Sequence, residues 1–241
     1  MFQVTNKSRA GQGKKVRVGE IDFFRGIALI LMIFFHIIWN LNNFYNVPIE
    51  YQTGIIFVIG RVAVYLFIMI TAISCSFSGS NLLRSLKILA AAMLVTIVTL
   101  IYDPRLFVAF GILHFLGVSV LLYPIYNKLS NALLLLLGTA MILAGQVVLT
   151  IPMTHNYLLF LGLTAPNYHT FDFYPLIPYS GLFLYGIFLA RILYPKRRSL
   201  FSVDLGDNPI AKVGQRTLII YLLHQPVILA VMYVLAIFGL L

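Results

Sequence analysis

The sequence contains a single cysteine, Cys75, among its 241 residues. An intrachain disulfide is therefore excluded, and so is any multi-cysteine metal or redox motif. Charge is scarce as well: 10% of the residues are Asp, Glu, Lys or Arg, where a soluble domain has about 25%. The acids are the scarcest, seven against 17 Lys and Arg, which leaves a net charge of +10. No run alternates apolar and polar residues with a period of two, which speaks against barrel strands. No small-x-small cleavage site follows the first apolar run, so that run reads as a retained helix and not as a signal peptide. No internal repeat is visible, and an inverted-repeat transporter architecture gains no support.

What fills the chain instead is apolar. Hydrophobic residues make up 61% of it and the mean hydropathy is +0.95, values that mark an integral membrane protein. The runs are long and continuous, so the expected fold is all-α, a polytopic transmembrane helix bundle. Seven segments are expected, roughly 21–41, 53–76, 84–101, 106–124, 131–151, 176–194 and 214–239. A basic tail over 1–20 precedes one transmembrane domain over 21–241.

The charges orient the bundle. Lys7, Arg9, Lys14, Lys15 and Arg17 precede the first segment; Arg84 and Lys87 follow the second, and Lys128 the fourth. Arg191, Lys196, Arg197, Arg198, Lys212 and Arg216 lie between the sixth and seventh. All fourteen fall on one side when the N-terminus is cytoplasmic. The opposite loops carry only Arg105. This topogenic role accounts for the net positive charge, so nucleic acid is not an expected partner, whereas anionic lipid headgroups are. The longest outer loop, 152–175, holds His155, His169 and Asp172 and is expected to be a re-entrant or interfacial segment.

Ionisable residues inside a span cost several kcal/mol unless partnered, which makes each a functional candidate. Arg61, His114, His224 and Gln225 lie within the second, fourth and seventh segments. Arg61 and His114 sit roughly 12 Å below the outer helix ends at about 1.5 Å per residue. His36 and His224 fall in the same layer, so one polar cavity is expected to collect all of these side chains. Each has a plain structural alternative: a membrane histidine often bonds between helices, and Gln225 before Pro226 can satisfy carbonyls freed at a kink.

The first helix is the most telling. Arg25 and His36 are eleven residues apart, within about 20° of one face and roughly 16 Å apart along the axis. Asp22 lies one turn below Arg25, where it can pair with it or cap the helix. The two bases cannot touch, but they can hold the two ends of one elongated molecule. An acyl thioester of coenzyme A has that shape, with anionic phosphates at one end and a reactive carbonyl at the other. Arginine suits phosphates because its planar fork stays charged and donates in pairs. Histidine suits the reactive end because it exchanges protons near neutral pH. A snorkelling, purely topogenic Arg25 is the plainer alternative.

Arg25 and His36 with ten residues between them resemble the motif of transmembrane acyltransferases that modify carbohydrates. More closely, "EIDFFRGIALILMIF" resembles the first helix of heparan-alpha-glucosaminide N-acetyltransferase and its bacterial relatives. The blocks "ILHFLGVSVLLYP", "YPLIPYSGLFLYGIFLARILYP" and "GQRTLIIYLLHQPVILAVMY" are similar too, so the resemblance spans roughly 17 to 239. It implies a multi-helix fold in a bacterial cytoplasmic membrane that takes an acetyl group from cytoplasmic acetyl-CoA. The acetyl passes to a carbohydrate or other cell-envelope acceptor on the far side. The lysosomal enzyme is longer and has its proposed catalytic histidine in the first luminal loop. The equivalent stretch here, "NLNNFYNVPIEYQTG", has no histidine, and the resemblance to the Arg–His motif of the other acyltransferases makes His36 the better candidate.

The expected site therefore has His36 as general base, with Asp22 and Arg25 at the donor entrance and Gln225 beside the donor. Arg61, His114 and His224 steady the oxyanion or the acceptor. Lys196, Arg197, Arg198 and Lys212 are a further source of charge for the nucleotide. No metal is required, and self-association into a homo-oligomer is compatible with the spans. The competing expectation is a transporter or lipid-handling protein that uses the same buried charges as a solute or proton path.

Overall fold

A computed structural model describes residues 18–241. The basic tail expected over 1–20 lies outside the described residues up to residue 17. Eight α-helices follow: α1 (Gly19–Tyr45), α2 (Gly54–Cys75), α3 (Asn81–Tyr102), α4 (Ile112–Tyr126), α5 (Asn131–Val148), α6 (Leu176–Leu193), α7 (Pro209–Gln215) and α8 (Thr217–Ile237). One 3-10 turn (Leu159–Leu161) interrupts the long loop after α5. Six helices, α1, α2, α3, α5, α6 and α8, are long and apolar enough to cross a membrane, and α4 is a shorter apolar helix. The chain is a multi-pass helical bundle, with its basic loops on one face.

The helices start where the sequence supplies caps. The Ser80 hydroxyl accepts from the Leu83 amide at 3.3 Å, and the Ser130 hydroxyl accepts from the Leu133 amide at the same distance. Asn208 caps α7 ahead of Pro209, a proline placed where its missing N–H costs nothing.

The core is built around α4. Phe115, Leu116 and Val120 meet Leu29 of α1, Ile68 of α2 and Phe183, Leu184 and Ile187 of α6. A helix apolar on every side belongs in the middle of a bundle, and that is why α4 shows no polar stripe. Its C-terminal end is held by Arg191, whose guanidinium donates to the carbonyls of Leu129 at 2.8 Å and Asn127 at 2.7 Å.

Two segments differ from their expected limits. The fourth begins at Ile112, not near residue 106, because residues 106–110 run irregularly into the bundle. The Thr96 hydroxyl of α3 donates to the Val108 carbonyl at 2.6 Å, about 9 Å below the outer end of α3. The end of the long loop descends alongside: the amides of Phe171 and Tyr174 donate to the carbonyls of Leu106 and Phe110 at 2.9 and 3.1 Å. Asp172 then accepts from the Ile112 amide at 2.8 Å. The seventh segment divides at Arg216 into α7 and α8. Helix α7 lies directly on the start of α1, where a Cβ on Gly214 would strike the Asp22 carbonyl and one on Gly26 the Ile210 carbonyl. Only glycine permits backbones to approach this closely. The loop before α7 is fastened to the same place by Glu20, whose carboxylate accepts from the Leu200 amide at 2.7 Å and the Ser199 hydroxyl at 2.8 Å.

Candidate active site

Beside the α1–α7 contact, a cavity of about 490 Å³ opens on the basic face between α2, α3, α4 and the α7–α8 break. Its mouth carries Arg25, Arg84 and Lys87 with the hydroxyls of Ser78 and Ser80. Its inner wall is Phe67, Leu113, Leu116 and Tyr221. Charge at the mouth and apolar surface at depth suit a molecule that is anionic at one end only.

The local sequence fixes the cations. Arg25 Nη1 donates to Asp22 Oδ1 at 2.7 Å, the i, i+3 pair expected from the helix period. Its Nη2 donates to Ser74 Oγ at 2.5 Å, and Ser74 donates in turn to the Ile70 carbonyl at 2.6 Å. Arg25 is thus stretched between α1 and α2 and held at the cavity edge. Arg84 and Lys87 are also three residues apart, on the first turns of α3. Among the described residues neither forms an ion pair.

Deeper along α1, His36 meets α8. The rings of His36 and His224 lie 4.9 Å apart, and the ring of Tyr221 lies 5.2 Å from that of His224. The Nδ1 of His224 is bonded to the Tyr221 carbonyl. A carbonyl only accepts, so this nitrogen carries the hydrogen, and in the neutral ring Nε2 is left with its lone pair. That Nε2, His36 Nδ1 and Asn40 Oδ1 are buried without a hydrogen-bond partner among the described residues. Asn40 lies one turn beyond His36 and donates to the His36 carbonyl at 2.7 Å and to Gln225 Oε1 at 2.9 Å. These unsatisfied atoms cluster about the His36–His224 contact, and Tyr221, a wall of the cavity, packs on His224.

The expected single layer is therefore gathered in part. His36, His224 and Gln225 come together, and Asp22 with Arg25 sits at the cavity mouth. His114 stands apart, in the first turn of α4. Its Nδ1 accepts from the Gly111 amide at 3.2 Å, and its Nε2 meets the Thr96 hydroxyl at 3.1 Å. Both nitrogens are occupied in holding the sunken helix start. Arg61 stands on the α6 side of α2, where it donates to the Tyr179 hydroxyl at 3.3 Å and lies 4.9 Å from the Phe57 ring centroid. Lys196, Arg197, Arg198 and Lys212 do not line the cavity.

Four participants had no place in the expected site. Arg84 and Lys87 were absorbed by their topogenic role, although their spacing of three put both on one face. Asn40 was legible as the residue one turn above His36. Tyr221 gave no signal, because a tyrosine in an apolar helix is common. Outside the spanning helices, the carboxyl of Asp172 is pushed up to about 6 by burial, against the pull of its bond from Ile112.

Residues 17–226 match the sequence family described as "Heparan-alpha-glucosaminide N-acetyltransferase, catalytic". No curated protein and no solved structure matches the chain.

Proposed function

The chain belongs to the catalytic family of heparan-alpha-glucosaminide N-acetyltransferase, a membrane acetyltransferase family, and from that membership we propose a donor, an acceptor class and a set of roles. The protein moves an acyl group, acetyl in the first instance, from acyl-CoA on the basic face to a carbohydrate or other cell-envelope acceptor. Its setting is a bacterial cytoplasmic membrane with the basic face inward.

One observation carries this reading: one cavity has three cations at its mouth and, at its inner wall, Tyr221, whose ring packs on His224 beside His36. Arg25 and His36 are eleven residues apart on α1, roughly 16 Å, comparable to a pantetheine arm. Arg25, Arg84 and Lys87 hold the phosphates, and Asp22 with Ser74 keeps the Arg25 fork oriented. His36 takes the proton from the acceptor hydroxyl or amine as its oxygen or nitrogen bonds to the thioester carbonyl carbon. The carbon–sulfur bond then breaks, and the departing thiolate takes the proton back from the imidazolium. His224, with its tautomer set by the Tyr221 carbonyl, offers its Nε2 lone pair to share that proton. Asn40 and Gln225 tie α1 to α8 at the level of the two rings, and His114 holds the start of α4 from outside the cavity.

The test uses purified protein, acetyl-CoA as donor and glucosamine as surrogate acceptor, with release of free coenzyme A as the readout. His36→Ala is expected to lose about 10²- to 10⁴-fold in kcat while acetyl-CoA still raises its melting temperature. Transfer by His36→Ala at the wild-type rate would remove the general base from this account.

A further inference from the structure

The donor cavity leaves Arg61 unused, and its surroundings are unusual for a charge in a membrane helix. It lies seven residues from the outer end of α2 at Gly54, about 10 Å down the helix. Its side chain is exposed, and so are its neighbours on that face, Phe57 (38%), Val58 (49%), Val62 (40%) and Tyr65 (38%). These neighbours are apolar or aromatic, so the face opens on lipid and not on water. A guanidinium has five N–H donors. Here one bond is made, from Nη1 to the Tyr179 hydroxyl, and the head lies over the Phe57 ring, one turn nearer the outer end of α2. Tyr65 stands four residues on, on the same exposed face of α2, and no carboxylate pairs with Arg61 among the described residues. The stem runs outward along an apolar face and brings a guanidinium with one hydrogen bond toward the outer end of α2, a position that suits the phosphate of a lipid headgroup.

The site is also joined to the chemistry. Tyr179 packs on Tyr174 with ring centroids 4.8 Å apart, and both pack, as Tyr221 does, against the same buried core. Tyr221 in turn packs on His224. The lipid-facing side of α2 and the histidine pair are therefore joined through one packed core.

We propose that Arg61, with Tyr179 and Tyr65, is a membrane-facing subsite for the phosphate headgroup of an amphiphile, and that the acyl acceptor is presented there on a lipid anchor. This deepens the acyltransferase reading and rests on it for the word acceptor. The binding chemistry stands alone: bidentate arginine–phosphate contact with tyrosine hydroxyls as further donors.

The test is a thermal-shift titration of the full-length protein in neutral dodecyl maltoside micelles. Dodecyl phosphate, inorganic phosphate and dodecanol are the three probes. Dodecyl phosphate is expected to stabilise the wild type saturably, and neither inorganic phosphate nor dodecanol to do so at equal concentration. Arg61→Gln is expected to raise the half-saturating concentration at least about tenfold, the loss of one charge-assisted contact. Tyr179→Phe removes only a hydroxyl and is expected to give a smaller shift in the same direction, which keeps the test open if Arg61→Gln does not fold. An equal response of Arg61→Gln and wild type to dodecyl phosphate overturns the proposal. So does a response to inorganic phosphate as large as that to the amphiphile, which would mark an aqueous anion site. Acetyl-CoA titrated into parallel samples reports on the donor cavity separately, so failure of either reading is visible without the other.

Discussion

At the level of single residues, the histidines differ in which ring nitrogens have partners. His114 and His224 are both buried histidines in apolar helices, and sequence alone treats them alike. The structure separates them by partners: both ring nitrogens of His114 are taken by Gly111 and Thr96, while His224 keeps a bare Nε2 beside His36. The first arrangement stabilises a helix start and the second can move a proton. If the two rings act as a unit, the effects of removing them are not additive. His36→Ala with His224→Ala together is then expected to lose about as much kcat as His36→Ala alone, measured as coenzyme A release. A product of the two single losses would mean that they act separately.

Asp172 gives a second test at this scale. Its carboxyl is raised to about 6, so the folded protein favours the protonated form. That contribution to stability is complete below the ordinary value of 3.8 and is lost as the pH rises through about 6. Asp172→Asn keeps an acceptor for the Ile112 amide and removes the titration. The wild-type melting temperature is therefore expected to fall relative to that of Asp172→Asn across this window. Asp172→Ala removes the acceptor and is expected to cost about 1 kcal/mol, as loss of a helix cap does.

At the scale of elements, six spans were legible because a continuous apolar run of about 20 residues has few other fates. The fourth was misplaced at its start for a physical reason. Residues 106–111 are apolar enough to count as membrane sequence, yet their backbone is satisfied by Thr96, Thr99 and the descending loop in place of a helix. Non-helical backbone is tolerated at depth where protein surrounds it. Hydropathy cannot register that, because it scores side chains and not backbone partners. The α7–α8 break was hidden for a related reason: α7 is short, and its role depends on Gly214 and Gly26 bringing two backbones together. Gly214→Ala is expected to force α7 away from α1, costing about 1–3 kcal/mol as overpacking does, seen as a lower melting temperature. Because Gly214 and Gln215 line the cavity, the same substitution is expected to weaken stabilisation by acetyl-CoA. An unchanged melting temperature and unchanged acetyl-CoA response would show that the contact yields freely.

At the scale of the whole molecule, the basic face and the cavity are two uses of one charge distribution. Insertion topology places Lys and Arg on the inner side, and Arg84 and Lys87 then stand where an anionic donor would enter. That double use is why the sequence disclosed Arg25 but not its two companions. Orientation itself is checked by labelling intact cells with a membrane-impermeant maleimide. Tyr157→Cys in the outer loop, 81% exposed, is expected to react from outside, and Lys196→Cys only after permeabilisation. Cys75 is 2% exposed and contributes little background.

In the proposed reaction the cations at the cavity mouth read the nucleotide end of the donor while His36 acts at the acyl end. Binding of acetyl-CoA and of S-acetyl pantetheine, which lacks the nucleotide, measured on the Arg84→Ala, Lys87→Ala double variant separates the two ends. A Kd for acetyl-CoA at least about tenfold weaker than wild type is expected, with S-acetyl pantetheine bound equally by both proteins. An unchanged Kd for acetyl-CoA, or the same loss for both ligands, would contradict it.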